Sequence, residues 1–379
     1  MTEKTNSSTK HEIVKPVKER ILSIDVLRGF DMFWIIGGES LFAALFVLMG
    51  GPFEKYLEPQ MNHTNWEGFT FYDLIFPLFV FIVGMSVLFS LKKFVENNDY
   101  VGAYKRILKR FVILFVLGLI YNGGVKHGLF EMRTMGVLQR LALTYLFTSI
   151  LYLHFNLKTL IGICIGILFG YWALLTFVPV PGLGFPTLEY GKNWVNWFDQ
   201  NYLPLRMYKD LSEPEGILST IPAVATSLLG LFTSLFLLEK TIEPKKKAYY
   251  FLGGGLAIVL LGYLWGIEFP IIKKLWTSSY VLVTGGYSIM LFGFFYLILD
   301  VYKIQKWSLP FVWIGMNPIT IYMFYNLVHP RGIAERFVGD SEAFLVGDDL
   351  HKLLILLVTI AINLILLRFL YIKKIFIRI

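Results

Sequence analysis

The chain has 379 residues, of which 56% are hydrophobic and only 16% charged, with a formal net charge of +8 and a mean hydropathy of +0.60. A soluble domain carries roughly 25% charged residues, so this composition cannot cover a water-facing surface and excludes an ordinary soluble enzyme. The basic residues sit mostly in short segments between apolar runs, which excludes a nucleic-acid-binding patch, and a single cysteine, Cys164, excludes an internal disulfide or a cysteine metal cluster.

Residues 1–20 are polar and are expected to form a disordered tail. They contain no apolar stretch of the kind a cleaved signal peptide needs, so the first span is expected to direct the chain to the membrane. From residue 21 to 379 the chain reads as one membrane domain. Ten apolar runs follow, at about 26–49, 71–91, 107–121, 137–153, 160–178, 217–238, 250–267, 281–299, 309–327 and 353–371. The expected fold is therefore all-α, a polytopic helix bundle lying in the lipid bilayer. Pro77, Pro222 and Pro318 fall inside spans, where neighbouring groups can satisfy the carbonyls they free.

Charge asymmetry predicts the orientation. Lys92, Lys93, Lys105, Arg106, Lys109, Arg110, Lys158, Lys240, Lys245, Lys246, Lys247, Lys303 and Lys306 share one side with both termini. The positive-inside rule makes that side cytoplasmic, here of an inner membrane, with Lys273 and Lys274 the main exception on the other side. The opposite loops are 51–70, 122–136, 179–216, 268–280 and 328–352. Loop 179–216 is rich in Gly, Pro and aromatic residues and reads as a folded extracytoplasmic cap.

Polar residues in or beside spans are costly, and each has a structural and a functional reading. Asp25 and Arg28, spaced i, i+3, form either a local ion pair or a phosphate-binding contact. Glu39 lies midway along the first span beside Gly37 and Gly38, and faces either a cavity or a neighbouring helix. Asn62, His63, Asn65 and Trp66 precede the second span: a His that works near neutral pH, amide donors and an aromatic platform of the kind sugars bind, or an ordinary headgroup loop. Asp73 is placed to orient a base or to cap the helix. Gln139 and Arg140 open the fourth span, where an Arg must point inward to a partner. Glu213 and Glu215 suit a helix N-terminus, and Asn317 predicts a broken ninth span. His127, His154, His329 and His351 lack metal-ligand spacing, no metal is expected, and no nucleotide-loop or hydrolase motif occurs. From the residues alone, a proton-coupled small-anion transporter and a membrane enzyme both remain open.

Six motifs in order separate them: S-I-D-V-L-R-G-F, N-H-T-N-W-E-G-F-T-F-Y-D-L-I-F-P, G-V-L-Q-R-L, P-E-G-I-L-S-T-I, K-L-W-T-S-S-Y-V and G-M-N-P-I-T-I-Y. Together they resemble the heparan-α-glucosaminide N-acetyltransferase family, over nearly the whole chain from Ile21. The resemblance implies transfer of an acetyl group from cytoplasmic acetyl-CoA to the amine of a terminal glucosamine on the opposite side, and a homodimer. It maps the family's active-site histidine onto His63. It departs at Glu39, where the family's human member has an asparagine. On this reading His63, Glu39, Asp73 and Arg140 are the expected catalytic residues, and Arg28, Asp25, Gln139 and Asn317 the donor contacts. Asn62, Trp66 and Glu215 are expected to meet the acceptor. The alternative within enzymes is O-acylation of an envelope glycan.

Overall fold

A computed structural model describes residues 21–376 apart from 125, 127, 129–130, 209–210 and 340–346. The expected N-terminal tail and His127 lie outside the described residues. Among those described, the regular elements are all helical, with one isolated bridge between Arg133 and Arg206.

The first span begins as α1, Leu22–Phe33, whose opening amides on Leu22 and Ser23 donate to the Asp300 carboxylate at 3.0 Å each. A five-residue π-turn, Trp34–Gly38, carries it into α2, Glu39–Met49. The break needs glycine, because Gly37 sits at φ +115°, a backbone region that side chains with a Cβ rarely enter. A 3-10 turn, Phe71–Leu74, leads into α3, Ile75–Glu96. Then follow α4 (Tyr100–Tyr121), α5 (Val137–His154) and α6 (Leu157–Phe177). A short helix, α7 (Trp194–Tyr202), lies in the aromatic loop that the sequence marks as a cap. The chain continues through α8 (Ile217–Leu237), α9 (Pro244–Gly266) and α10 (Ser278–Phe295). The ninth span is split into α11 (Leu309–Met316) and α12 (Pro318–Val328), bent by 69° at Asn317, as the sequence predicts. Helices α13 (Pro330–Val338) and α14 (Asp348–Ile372) complete the described chain.

Helices thus occupy all ten expected positions, and the chain is a multi-pass membrane protein. Seven of them are long and apolar enough to cross a bilayer by composition alone, eight with the bent pair. Helices α4 and α5 fall outside that group for visible reasons. Lys105, Arg106, Lys109 and Arg110 crowd one half of α4, and α5 buries Gln139, Arg140, Thr144, Thr148 and Ser149 inside the bundle.

Helices α3, α8 and α10 form the centre, whereas α6 and α9 show most of their apolar surface outward. Hydrocarbon chains are as apolar as a leucine core, so helix association in a bilayer depends on close packing and hydrogen bonds. The α3–α8 contact shows this: a Cβ added at Gly84 would run into the carbonyl of Ser227. Gly84→Ala is expected to destabilise the fold by about 1–3 kcal/mol, as overpacking does. The readout is a lowered thermal midpoint in detergent, and an unchanged midpoint would mean that α3 and α8 do not approach this closely.

Candidate active site

At the end of the bundle where α3 begins, several separate segments converge on a cavity of about 610 Å³, Ile35, Tyr121 and Tyr322 among its walls. The 62–76 segment supplies His63, Trp66 and Tyr72, the loop before α5 supplies Arg133, the cap supplies Tyr208 and Glu215, and the turn before α10 supplies Lys273, Lys274 and Trp276.

The first turn of the second span fixes the histidine. Thr70 and Asp73 form a reciprocal cap, with Thr70 N–H and Oγ1 donating to Asp73 Oδ2 at 3.3 and 3.0 Å. Thr64 adds its amide and hydroxyl to the same oxygen at 3.3 and 3.2 Å. Asp73 Oδ1 is left for His63 Nδ1, 2.9 Å away, and for the Lys273 ammonium at 3.1 Å. Asp73 is fully buried while the His63 side chain is 51% exposed, so the pair has one fixed and one accessible member. With Nδ1–H donating to Asp73, the Nε2 lone pair is the one available to a ligand. Tyr72 stacks on the imidazole with ring centroids 4.6 Å apart, and Lys273 Nζ lies 3.0 Å from Nδ1 and 3.4 Å from Nε2. Burial pushes the Lys273 ammonium below its usual range, against the pull of Asp73.

On the opposite wall, Arg133 grips Glu213 through Nε at 3.0 Å and Nη2 at 2.5 Å, and reaches Glu215 at 2.7 Å. Its guanidinium covers the Tyr208 ring at 4.7 Å. Burial works against that charge, but the two carboxylates hold the Arg133 value above normal. Lys274 donates to the Asn65 carbonyl at 2.7 Å and stands over the Trp66 ring, whose indole N–H is tied to the Leu188 carbonyl. The cavity therefore combines a histidine base, aromatic walls and three cations. That combination suits proton removal from a polar, ring-shaped ligand and stabilisation of a developing negative charge.

The family described as heparan-alpha-glucosaminide N-acetyltransferase, catalytic, matches residues 20–262. The chain belongs to this family. It is 27% identical to heparan-alpha-glucosaminide N-acetyltransferase of Homo sapiens over 81% of its own length and 53% of that protein, and 27% identical to the protein of that name from Mus musculus over 82% and 54%. The chain spans about half the length of the curated relatives it matches. The family match takes in His63, Asp73, Arg133 and Glu215, while Lys273 lies beyond it.

Of the residues singled out in the sequence, His63, Trp66 and Glu215 line the cavity and Asp73 backs it. Arg140 is buried just below, its guanidinium over the Trp276 ring at 4.7 Å, donating to Gly216 O and to Ser219 Oγ. Its Nε and Nη1 have no partner among the described residues. Glu39 does not line the cavity; it accepts from Ser40 at 2.6 Å and lies in the electrostatic field of Tyr72. Asn62 turns outward to Glu58 Oε1 at 2.7 Å. Asp25 and Arg28 pair at 3.7 Å at the other end of the bundle, and Arg28 also meets the Gly315 carbonyl at 3.4 Å. There a second cleft of about 500 Å³ is lined by Ser90, Lys93 and Arg106. Gln139 is not brought near these groups: it packs against Gly118 and Gly136 beside Arg140. Asn317 donates to the Ile375 carbonyl at 3.0 Å and so supports the helix break rather than the cavity.

Lys273, Arg133 and Tyr72, which line the cavity, were not legible as its members in the sequence. The one available signal was Lys273–Lys274 itself, a basic pair on the side where the charge bias disfavours it.

Asp199 of the cap accepts from the Ile217 amide at 3.0 Å, and burial pushes its carboxyl up to about 7 despite that bond and the Arg140 charge. A carboxyl raised in the folded state from an ordinary value of about 4 keeps a proton that the unfolded chain has lost. Its contribution to stability is then complete below about pH 4 and is lost as pH rises to about 7. Asp199→Asn is expected to flatten the fall in thermal midpoint between pH 5 and pH 8. An equally steep fall in the variant would assign the pH dependence to another group.

Proposed function

We propose that the chain transfers the acetyl group of acetyl-CoA to the amine of a glucosamine-type sugar held in the His63 cavity. The observation that carries this reading is the buried Asp73 carboxylate fixing an exposed His63 at the mouth of an aromatic-walled cavity, in a chain of this family. An ammonium is not nucleophilic, so the acceptor reacts as the free amine. As its nitrogen bonds to the thioester carbon, His63 Nε2 takes the proton, and Asp73 stabilises the imidazolium that forms. Lys273, beside the His63 ring, is the cation that would stabilise the developing oxyanion. The C–S bond then breaks, and the CoA sulfur leaves as a thiolate that is protonated to the thiol.

The donor's phosphates would dock at the opposite, basic end. Arg106 donates to Ser90 Oγ at 2.8 Å, Arg110 donates to Ser86 Oγ at 3.2 Å and covers the Tyr145 ring, and the Arg28 and Arg110 charges act on one another. Arginine forks suit phosphate oxygens. With the positive-inside rule, this end and both termini face the cytoplasm of an inner membrane, and the acceptor arrives from the other side.

The test is acceptor-dependent release of CoA in proteoliposomes supplied with acetyl-CoA and glucosamine-type sugars. His63→Ala is expected to abolish it, and Asp73→Asn to lower it by about 10²–10⁴-fold, the span general-base catalysis contributes. Full activity in His63→Ala, or ion-coupled solute uptake with no use of acetyl-CoA, would overturn the proposal. Incubation with acetyl-CoA alone separates two routes. An acetylated His63 indicates a covalent intermediate, and its absence indicates direct transfer.

A further inference from the structure

Arg140 stands in the first turn of α5, fully buried, and it does not line the His63 cavity. A guanidinium in such a place persists only where its lost hydration is replaced. Nη2 donates to the Gly216 carbonyl at 3.3 Å and to Ser219 Oγ. The guanidinium also covers the Trp276 ring, 4.7 Å from its centroid, and the Glu215 and Asp199 charges act on it.

These contacts lead to opposite walls of the cavity. Gly216 follows Glu215, which Arg133 holds on one wall. Trp276 closes the turn that carries Lys273 and Lys274 on the other. Its amide donates to the Lys273 carbonyl at 3.0 Å, and its backbone stands at φ +55°, where a bulky residue stays only if its surroundings hold it. They do. The indole N–H donates to Thr226 Oγ1 of α8 at 3.1 Å, and the Phe76 and Tyr280 rings stand nearly perpendicular to the indole, each at 5.3 Å. The Tyr171 hydroxyl donates to the neighbouring Leu275 carbonyl at 2.6 Å. The turn is thus bolted to the bundle through Trp276, and what supports Trp276 decides where the Lys273 ammonium stands against Asp73 and His63.

We propose that Arg140 is a positioning residue, a buried brace between the Trp276 turn and the start of α8 that sets the separation of the two cavity walls and so the fit of the acceptor sugar. The effect on the acceptor rests on the acetyl-transfer reading above; the brace itself does not. Arginine suits the task better than lysine. A planar guanidinium covers the indole and still sends an N–H in its own plane to Gly216 and Ser219, whereas an ammonium is a point charge with no such fork. On this assignment Arg140 leaves the catalytic group that the sequence suggests, and acts only through Trp276 and Gly216.

Two readouts on the purified full chain test it. The first is the steady-state kinetics of acceptor-dependent CoA release with a glucosamine-type sugar. Arg140→Lys is expected to raise the acceptor KM about tenfold, with kcat and the acetyl-CoA KM within about threefold of wild type. Ser219→Ala, which removes one acceptor of the Arg140 fork, is expected to raise the acceptor KM about threefold, and it carries the test if Arg140→Lys does not fold. A fall in kcat at unchanged acceptor KM, which loss of folded protein or of an oxyanion donor would give, overturns the assignment, and so does no change in either. The second readout needs no activity. It is the distance between spin labels at two exposed positions, Glu67→Cys in the His63 loop and Arg206→Cys, whose backbone bridges to Arg133 on the other wall, with Cys164→Ser removing the native thiol. Arg140→Lys is expected to shift and broaden that distance, and an unaltered distribution overturns the assignment. Wild-type protein without acceptor-dependent CoA release overturns the acetyl-transfer reading instead, and the label distance still decides the role of Arg140.

Discussion

Asp73 has no solvent contact, yet both of its oxygens are engaged. Oδ2 takes the amides and hydroxyls of Thr64 and Thr70, and Oδ1 takes the His63 ring and the Lys273 ammonium. A buried carboxylate persists only if its lost hydration is replaced by donors and opposite charge. Here those donors come from the helix's own first turn, from the loop before it and from a turn some two hundred residues away. The Tyr280 hydroxyl pins the backbone from below by donating to the Asp73 carbonyl at 2.8 Å. Helix start, loop closure and histidine orientation are therefore one structure. Removing the carboxylate would loosen all three at once and leave the Lys273 ammonium without its counter-charge.

That coupling explains how much of the site could be read in advance. The ten helical segments follow from apolar length, which depends only on neighbouring residues, and the kink at Asn317 follows from an amide before a proline. His63 and Asp73 are ten residues apart, within reach of motif and helix-start reasoning. Lys273 belongs to the same cluster, but no periodicity links it to His63; only the fold brings them together. The same holds for Arg133, whose partners Glu213 and Glu215 carry an ordinary explanation as helix-start acids. Gln139, expected as a donor contact, lies at the cavity end of α5, where its amide fills the space that Gly118 and Gly136 leave.

Glu39 shows why a polar residue in a span is only half a prediction. Its burial drew attention to the first span, but the carboxylate that α1 buries completely is Asp31, one turn before the break. The sequence G-F-D-M-F carries no mark to distinguish it, because its isolation depends on what the other helices do not supply. Glu39 opens α2 on the far side of the π-turn, where a hydroxyl neighbour satisfies one oxygen.

Two breaks interrupt the bundle at different depths. Gly29 of α1 lies against Phe311, and Gly315 lies against Asp25, so α11 runs back along α1 and places the kink at Asn317 toward the start of α1, away from the π-turn at Trp34–Gly38. Each leaves backbone carbonyls without helical partners, which hydrocarbon does not tolerate. Asn363 of α14 donates to the Ile36 carbonyl at 3.3 Å and so answers the first, while at the second the Asn317 amide donates to the Ile375 carbonyl at 3.0 Å and ties the kink to the end of α14. Helix α14 therefore acts as a strut that makes irregular backbone affordable at this depth. The glycine at φ +115° lets the first span break, and one buried asparagine on α14 makes that break tolerable at this depth.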